Sequence, residues 1–556
     1  MDAFQLLSTG AWSLVPPLLA LALALITKEV YSSLLVGTFA GLVIYEFTLG
    51  GASAASFVAA FCDLPTLLSA QIESNGALLL FLALLGSLTV IISVAGGSRA
   101  YAEWVSTHVK NARMAQLMTA ILGIVIFVDD YFNCLTVGAV MRPVTNKFKV
   151  SHEKLAYIID STAAPVCIIA PVSSWAVAVG GYMGDGGFST FVASIPYNFY
   201  ALLTIFMVFA IIVSKVDFGP MREAELEWRG EAKPSRVPAH GTALNTVSSS
   251  GLTYKHSEEL NPPIDIETVV AEEADLESAQ SAMDEFKGMK ISDKGRVGDL
   301  VIPIVVLIVF SIIGMLYSGD YFKGGVDFAT AVGVDPIAGL CIGSTVALVV
   351  AAAMFMPRKL LTLDRYVESG TEGVRTMVSS MMILVLAWSL GGVCRYMLGT
   401  GAFVSGALTA VGVSLDFLPA LIFVVAAFIA FAMGTSWGTI ALLMPIVLGV
   451  FPESDPMFLV GIGSALAGAV FGDHTSPISD TTILSSAGAE CNHLRHVATQ
   501  LPYASTVAVV CLIGYFVAGF TKSPWPSLVL GLVLLVCVIL FQSRRNAAGK
   551  GNAQAA

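Results

Sequence analysis

The chain is poor in charge. Asp, Glu, Lys and Arg make up 12% of its 556 residues, about half of what soluble globular domains carry, and this excludes an ordinary soluble enzyme. The first ten residues hold Asp2 and no Lys or Arg, so the basic head of a cleaved signal peptide is missing and the first apolar run is expected to stay as a span. Cysteine is scarce. The 8 residues lie mostly inside apolar runs (Cys134, Cys167, Cys341, Cys511, Cys537) without paired spacing, which excludes a disulfide or zinc framework and fits small buried side chains. No His-Glu-x-x-His pair occurs, so the metalloprotease signature is absent too. The net charge of −11 leaves no expectation of a nucleic-acid partner, and no resident cofactor is expected.

What the chain has instead is apolar length. Hydrophobic residues make up 56% of it, with a mean hydropathy of +0.80, and runs of about 20 apolar residues recur, the length a bilayer demands of a helix. The expected fold is an all-α polytopic membrane protein. Spans are expected at 12–26, 30–49, 77–96, 155–180 and 191–214, and again at 300–317, 336–356, 374–393, 458–486, 502–520 and 527–541. Residues 115–141 and 417–450 are special cases. Between the two sets, 215–299 is rich in Glu, Asp, Lys, Ser and Pro and nearly free of aromatics, a composition that cannot bury a core. It is expected to be a solvated tether, with an acidic stretch, Ile266 to Phe286, that can form a surface helix. The organisation is therefore 1–214, a first membrane repeat; 215–299, a linker; 300–522, a second repeat; and 523–556, an additional span with a basic tail.

The repeat is visible in short motifs. Val36-Gly37-Thr38 matches Ile342-Gly343-Ser344, Ala170-Pro171-Val172-Ser173 matches Ser476-Pro477-Ile478-Ser479, and Ile195-Pro196-Tyr197 matches Leu501-Pro502-Tyr503, all 306 residues apart. Basic residues orient the halves. Arg99, Lys110 and Arg113 precede 115–141, and Arg142, Lys147, Lys149 and Lys154 follow it, so that segment is expected to enter and leave on the cytoplasmic side as a re-entrant hairpin. The flanks of 417–450 carry no Lys or Arg, so its hairpin is expected to enter from outside. Two inverted-topology repeats follow, each of about five transmembrane helices plus a hairpin, with broken helices at the centre and an eleventh crossing at the end. Lys522 and Arg395 fit this scheme less well. The linker and the C-terminus fall on the cytoplasmic side.

Four polar stretches are expected at membrane depth. Phe471 to Thr482 holds Asp473, His474, Thr475, Ser476, Ser479, Asp480 and Thr481 around Gly472 and Pro477. A carboxylate in hydrocarbon costs several kcal/mol on insertion scales, and loosened backbone there must line a cavity or be buried in protein. The reading is an ion site on a broken helix, with Asp473 and Asp480 on one face if the break does not rotate them apart. Asp129-Asp130-Tyr131-Phe132-Asn133 marks one hairpin tip and Gly434 to Thr439 the other. Aligning Met141 with Met444 pairs Asn133 with Ser436. The fourth stretch is Asp160-Ser161-Thr162, in a span that also carries Ser173. Blander readings exist for each: Asp129 and Asp130 as helix caps, Asp160 at the interface, Ser and Thr bonded to their own helix.

At these residues the chain resembles the NhaC family of Na⁺/H⁺ antiporters, within a wider group of inverted-repeat ion transporters. The motifs are Phe127 to Asn133, Ala164-Pro165 through Trp175, Gly434-Thr435-Ser436-Trp437-Gly438-Thr439, and Gly472-Asp473-His474 through Thr482, and the likeness covers roughly residues 10 to 520. It implies secondary transport in a prokaryotic cytoplasmic membrane, with Na⁺ exchanged for protons; some relatives couple ions to organic acids or amino acids. The expected mechanism is competition for shared carboxylates, because burial disfavours a charged Asp and lets it take a proton that Na⁺ must displace. Asp473 and Asp480 are the expected exchange groups and Na⁺ ligands. Asp129 or Asp130 is the partner across the interface, Thr435, Ser436 and Ser479 are oxygen ligands, and His474 tunes or relays the proton. The expected partners are Na⁺, H⁺ and the lipid bilayer. A small organic solute is the alternative cargo, and a homodimer is one option for assembly.

Overall fold

The computed structural model describes residues 4–27, 29–183, 186–231, 291–326, 328–400, 403 and 414–555. Among them every regular element is a helix. The first half runs α1 (Val15–Thr27), α2 (Val30–Gly50), α3 (Ala54–Val94), α4 (Gly97–His108), α5 (Ala112–Val125), α6 (Asp130–Lys147), α7 (His152–Thr162), the single turn α8 (Ala164–Cys167), α9 (Ser174–Met183), α10 (Gly187–Ser194), α11 (Phe199–Ser214) and α12 (Gly219–Arg229). The second half runs α13 (Val297–Ser318), α14 (Phe328–Val334), α15 (Pro336–Phe355), α16 (Leu363–Gly392), α17 (Leu418–Met433), α18 (Ser436–Val450), α19 (Met457–Thr475), α20 (Asp480–Ala489) and α21 (His493–Thr521). A last helix, α22 (Pro524–Ala555), closes the chain.

The halves repeat one order of elements. Helices begin at Val30 and Pro336, Ala112 and Leu418, Asp130 and Ser436, Ser174 and Asp480, and Gly187 and His493, each pair 306 residues apart. Polar residues fix many of these starts. Ser53, Asn111, Ser151, Asp335, Thr362 and Asn492 each accept a backbone N–H of the first turn they precede, a donor that would otherwise be left unpaired.

Nine helices among the described residues are long and apolar enough to cross a membrane, ten if the bent pair Gly187–Tyr197 and Phe199–Ser214 forms one span. The chain is a multi-pass membrane protein. The sequence reading counts eleven crossings, and the difference has local causes. The first, α1, has only 13 residues, and the expected span 155–180 is cut into α7, α8 and α9. Leu415–Met433, read as a hairpin arm, is itself long enough to span. Residues 54–76, left between spans, instead form the first part of the 41-residue α3, which bends at Asn75.

The leading helices of the two halves pack on each other through small residues. A methyl on Gly86 of α3 would collide with the backbone of Gly373 on α16, and one on Gly339 of α15 would collide with α13; close backbone approach of this kind is how apolar helices hold together in lipid. The remaining helices, α5–α11 and α17–α21, carry the polar stretches.

Part of the expected tether is folded. Residues 216–231 include α12, which docks on α7 and α21: buried Glu225 accepts the N–H of Ser151 at 2.8 Å, and Arg495 bridges Glu153 and Glu227 at 2.9 and 3.0 Å. Buried Lys154 pairs with Asp217, which also accepts from Tyr503 at 3.1 Å. The acidic stretch Ile266 to Phe286 lies outside the described residues.

Candidate functional site

The two hairpin tips are built alike. In the first, α5 ends at Val125, and Asp129 caps α6 by accepting the N–H of Phe132 at 3.0 Å. In the second, α17 ends on Gly434 at φ 72°, and Thr435 caps α18. A glycine is required at 434 twice over, since its backbone is left-handed and a methyl would strike the carbonyl of Ile478. The caps set the register between tips, placing Asp130 with Ser436 and Asn133 with Thr439. The alignment on Met141 and Met444, which pairs Asn133 with Ser436, is three residues out.

Each tip is pinned to the break of its own half by the same bond. Ser174 N–H donates to Val128 O at 3.0 Å, and Asp480 N–H donates to Gly434 O at 3.1 Å, again 306 residues apart. Ser476 adds a hydroxyl bond to Phe431 O at 2.7 Å. Side chains then cross between halves. Tyr131 donates to Asp480 Oδ2 at 3.1 Å, and the ring of Trp175, whose N–H donates to Asp130 Oδ2 of its own half at 3.0 Å, lies 4.3 Å from that of Trp437. The second arm of each hairpin therefore leans on the broken helix of the other half, with Gly138 of α6 packed directly on Gly488 of α20.

Two polar clusters result. In the first, the Ser436 hydroxyl donates to Asp473 Oδ2 at 2.6 Å. Asp473 Oδ1 is buried without a hydrogen-bond partner, and Ser479 lies close to this carboxyl. Asp480 is the charged group acting most strongly on Asp473, and Tyr131 feels Asp480, Asp130 and Asp473 together. Asp129 repeats the pattern, with Oδ2 unpartnered and Ser174 beside it. The adjoining cluster centres on Asp160, which is fully buried within the protein. Its Oδ2 accepts from Thr482 at 3.0 Å and from Gln500 at 2.6 Å; Gln500 also donates to His474 O at 2.7 Å, and Tyr200 meets His474 Nδ1 at 3.2 Å. His474 Nε2 lies 3.8 Å from Asp160 Oδ1. It is Asp160, not the neighbouring Asp473, that His474 faces.

The other expected residues serve the backbone. Asn133 Nδ2 reaches the carbonyls of Gly123, Ile126 and Thr162 at 2.6, 2.9 and 3.3 Å, tying the first tip to the end of α7. Ser173 bonds Cys167 O at 2.7 Å and accepts from Ala176 N. Ser479 caps α20 and lies 3.3 Å from the Thr481 hydroxyl, and Thr475 bonds its own helix. Asp473 and Asp480 do not share a helix face, because α19 ends at Thr475 and α20 starts at Asp480. Gly434-Thr435-Ser436-Trp437-Gly438 has the Gly-x-Ser-x-Gly spacing of a hydrolase nucleophile turn, but it joins two helices and its Ser436 bonds Asp473, with no histidine on the hydroxyl. Arg142 and Arg395, each able in principle to fork a carboxylate cargo, are held by Glu490 at 2.7 Å and Glu453 at 2.5 Å.

Gln500 and Tyr200 escape a reading of the sequence. A lone Gln and a lone Tyr in apolar helices are ordinary, and the partners of Gln500 lie 340 and 26 residues away. Among the described residues no group of three or more His, Cys, Asp or Glu side chains converges as metal ligands, so a cation here would be held by a carboxylate pair completed with hydroxyl and carbonyl oxygens.

Residues 180–520 match the model of the Na⁺/H⁺ antiporter family. An uncharacterised protein of Haemophilus influenzae is 35% identical over 559 residues, covering 97% of this chain and 96% of that relative. The malate-2H⁺/Na⁺-lactate antiporter of Bacillus subtilis is 31% identical over 160 residues, 28% of this chain and 31% of that one. Among solved structures, the YdaH transporter of Alcanivorax borkumensis superposes with a TM-score of 0.50 at 14% identity, covering 85% of this chain and 90% of the other. That likeness concerns the fold alone.

Proposed function

The chain belongs to the Na⁺/H⁺ antiporter family, and we propose that it exchanges Na⁺ for H⁺ across the cytoplasmic membrane at the carboxylates Asp473 and Asp480. One observation carries this reading: Asp473 is 2% exposed, with one oxygen held by Ser436 and the other turned to no partner. A buried, unsatisfied carboxylate oxygen calls for an ion or a proton. No Lys or Arg ion pair reaches Asp473 among the described residues, so its charge is left for a mobile cation to neutralise. Na⁺ binds the ionised pair with hydroxyl and tip carbonyl oxygens; a proton arriving at Asp473 removes the charge and releases the ion. From the other half Tyr131, next in the chain to Asp130, donates to Asp480. The halves stand in opposite orientations in the membrane, a reading supported by the 306-residue recurrence of helix starts and by basic flanks on only one hairpin.

The test is Na⁺-driven proton movement in proteoliposomes. Asp473→Asn is expected to abolish it. Exchange at the wild-type rate in that variant removes Asp473 from the site.

A coupled carrier of a small organic acid draws support from the partial match to the Bacillus subtilis antiporter. Against it, both candidate arginines are already engaged by glutamates, and carboxylate recognition prefers a guanidinium fork. Na⁺ uptake stimulated by an added carboxylate would reverse the preference.

A further inference from the structure

Outside the pocket, one hydroxyl lies between two imidazoles. Ser486 Oγ is 3.1 Å from Nδ1 of His493 and 2.8 Å from Nδ1 of His496. The far nitrogens have fixed roles. His493 Nε2 lies 2.6 Å from Pro477 O, which only accepts. His496 Nε2 lies 3.1 Å from Gln500 Oε1. The Gln500 amide cannot be turned the other way, because its Nε2 donates to the carbonyl of His474 as well as to Asp160. Each Nε2 therefore carries a hydrogen, and in a neutral ring each Nδ1 is a bare lone pair.

The count of hydrogens is then decisive. With both rings neutral, the single Ser486 hydrogen faces three acceptors, the two Nδ1 atoms and Thr482 O at 2.7 Å. A buried nitrogen left without a donor costs about 1–3 kcal/mol. One added proton completes the chain Nδ1–H···Oγ–H···Nδ1. A second would bring two like charges within a few ångströms of each other.

We propose that His493, Ser486 and His496 form a proton-binding site that holds one proton shared between the two rings and presents its charge to Asp160 through Gln500. The transfer balances: the Nδ1–H bond of His493 breaks as its proton joins Ser486 Oγ, and the hydroxyl hydrogen passes to His496 Nδ1. The serine is regenerated and one proton has moved inward, from half-buried His493 to fully buried His496. Asp160 of α7 is the carboxylate at the end of this chain, accepting from Gln500 at 2.6 Å while Gln500 Oε1 meets His496 Nε2 at 3.1 Å. Of the other charged groups on the surrounding elements, Glu153 and Glu227 are paired with Arg495, Lys154 with Asp217, and Glu490 with Arg142; Asp480 at the head of α20 accepts from Tyr131, Asp473 of α19 accepts from Ser436, and His152 of α7 lies against Glu490 O and Asn146. Only the transport readout of this site rests on the exchange proposed above.

Full-length protein labelled with ¹⁵N-histidine, titrated from about pH 5 to 9, tests the site directly. His493 and His496 are expected to take up one proton between them at a common midpoint. His493→Gln and His496→Gln are each expected to lower the proton affinity of the remaining ring about tenfold, one pH unit. Ser486→Ala should uncouple the rings and Ser486→Thr should keep them coupled. Independent titration of the two rings in the wild type, with midpoints unmoved in the single variants, overturns the proposal. In proteoliposomes the pH profile of exchange is expected to shift equally in either single variant and in the double. Additive losses of rate without a shift indicate a structural role and overturn it. If the wild type moves no protons against Na⁺, the exchange reading fails, and the titration still decides the proton site.

Discussion

The hydroxyl of Ser436 donates to Oδ2 of Asp473 across 2.6 Å, joining the tip of a helical hairpin to the last turn of a broken helix. The bond orients the carboxyl and leaves Oδ1 without a partner, the oxygen that would meet the cargo in the proposed exchange. A hydrogen bond to a charged group contributes about 1.5–3 kcal/mol. Ser436→Ala is therefore expected to raise the KM for Na⁺ by about tenfold or more and to lower the maximal rate less, while Ser436→Thr retains most of the affinity. Rates measured against external Na⁺ check this.

Gly434 carries a conformational demand that can be read separately from transport. At φ 72°, with Ile478 O against its α-carbon, Gly434→Ala meets both strain and collision, a cost of about 1–3 kcal/mol. A lower melting temperature in detergent is expected, together with loss of exchange. An unchanged melting curve would mean that the tip turns more freely than its geometry shows.

Lys154 is 1% exposed and its ion pair with Asp217 sits beneath Tyr157 and Tyr503. Removing one partner of a buried pair costs about 3–5 kcal/mol, whereas replacing both costs much less. Lys154→Met should destabilise the protein strongly, and adding Asp217→Leu should recover part of the loss. Thermal unfolding of the single and double variants provides the comparison.

Tyr131→Phe keeps the ring and deletes only the donor to Asp480. Exchange is expected to slow about tenfold or more with the melting temperature held, since a hydrogen bond to a charged group contributes about 1.5–3 kcal/mol. A wild-type rate would detach Tyr131 from the pocket.

Much of this site is legible without coordinates. Acidic residues in apolar runs, Pro477 and Gly434 are enough to locate both the broken helix and the second tip. What escapes the sequence is geometry set by backbone bonds. The register of the tips follows the caps Asp129 and Thr435, not the methionines beyond them. Asp473 and Asp480 become neighbours because Gly434 O captures the N–H of Asp480, so helical periodicity across the break has no bearing on them. The first part of α3 hides because Asp63, Gln71 and Glu73 dilute its apolar character, although none of them interrupts a helix. Gln500 hides because its meaning depends on Asp160, which the chain brings to it from 340 residues away.

The latch that pins each tip, Ser174 to Val128 and Asp480 to Gly434, is common to both halves, yet the acids hung on it are not. Where one half places Asp129 and Asp130, the other has Thr435 and Ser436; where the second places Asp473 and Asp480, the first has Cys167 and Ser174. A twofold scaffold could have housed twin cavities of equal charge. With the acids divided this way, the polar cluster is lopsided, drawn from both halves of the chain, and neither half could furnish it alone.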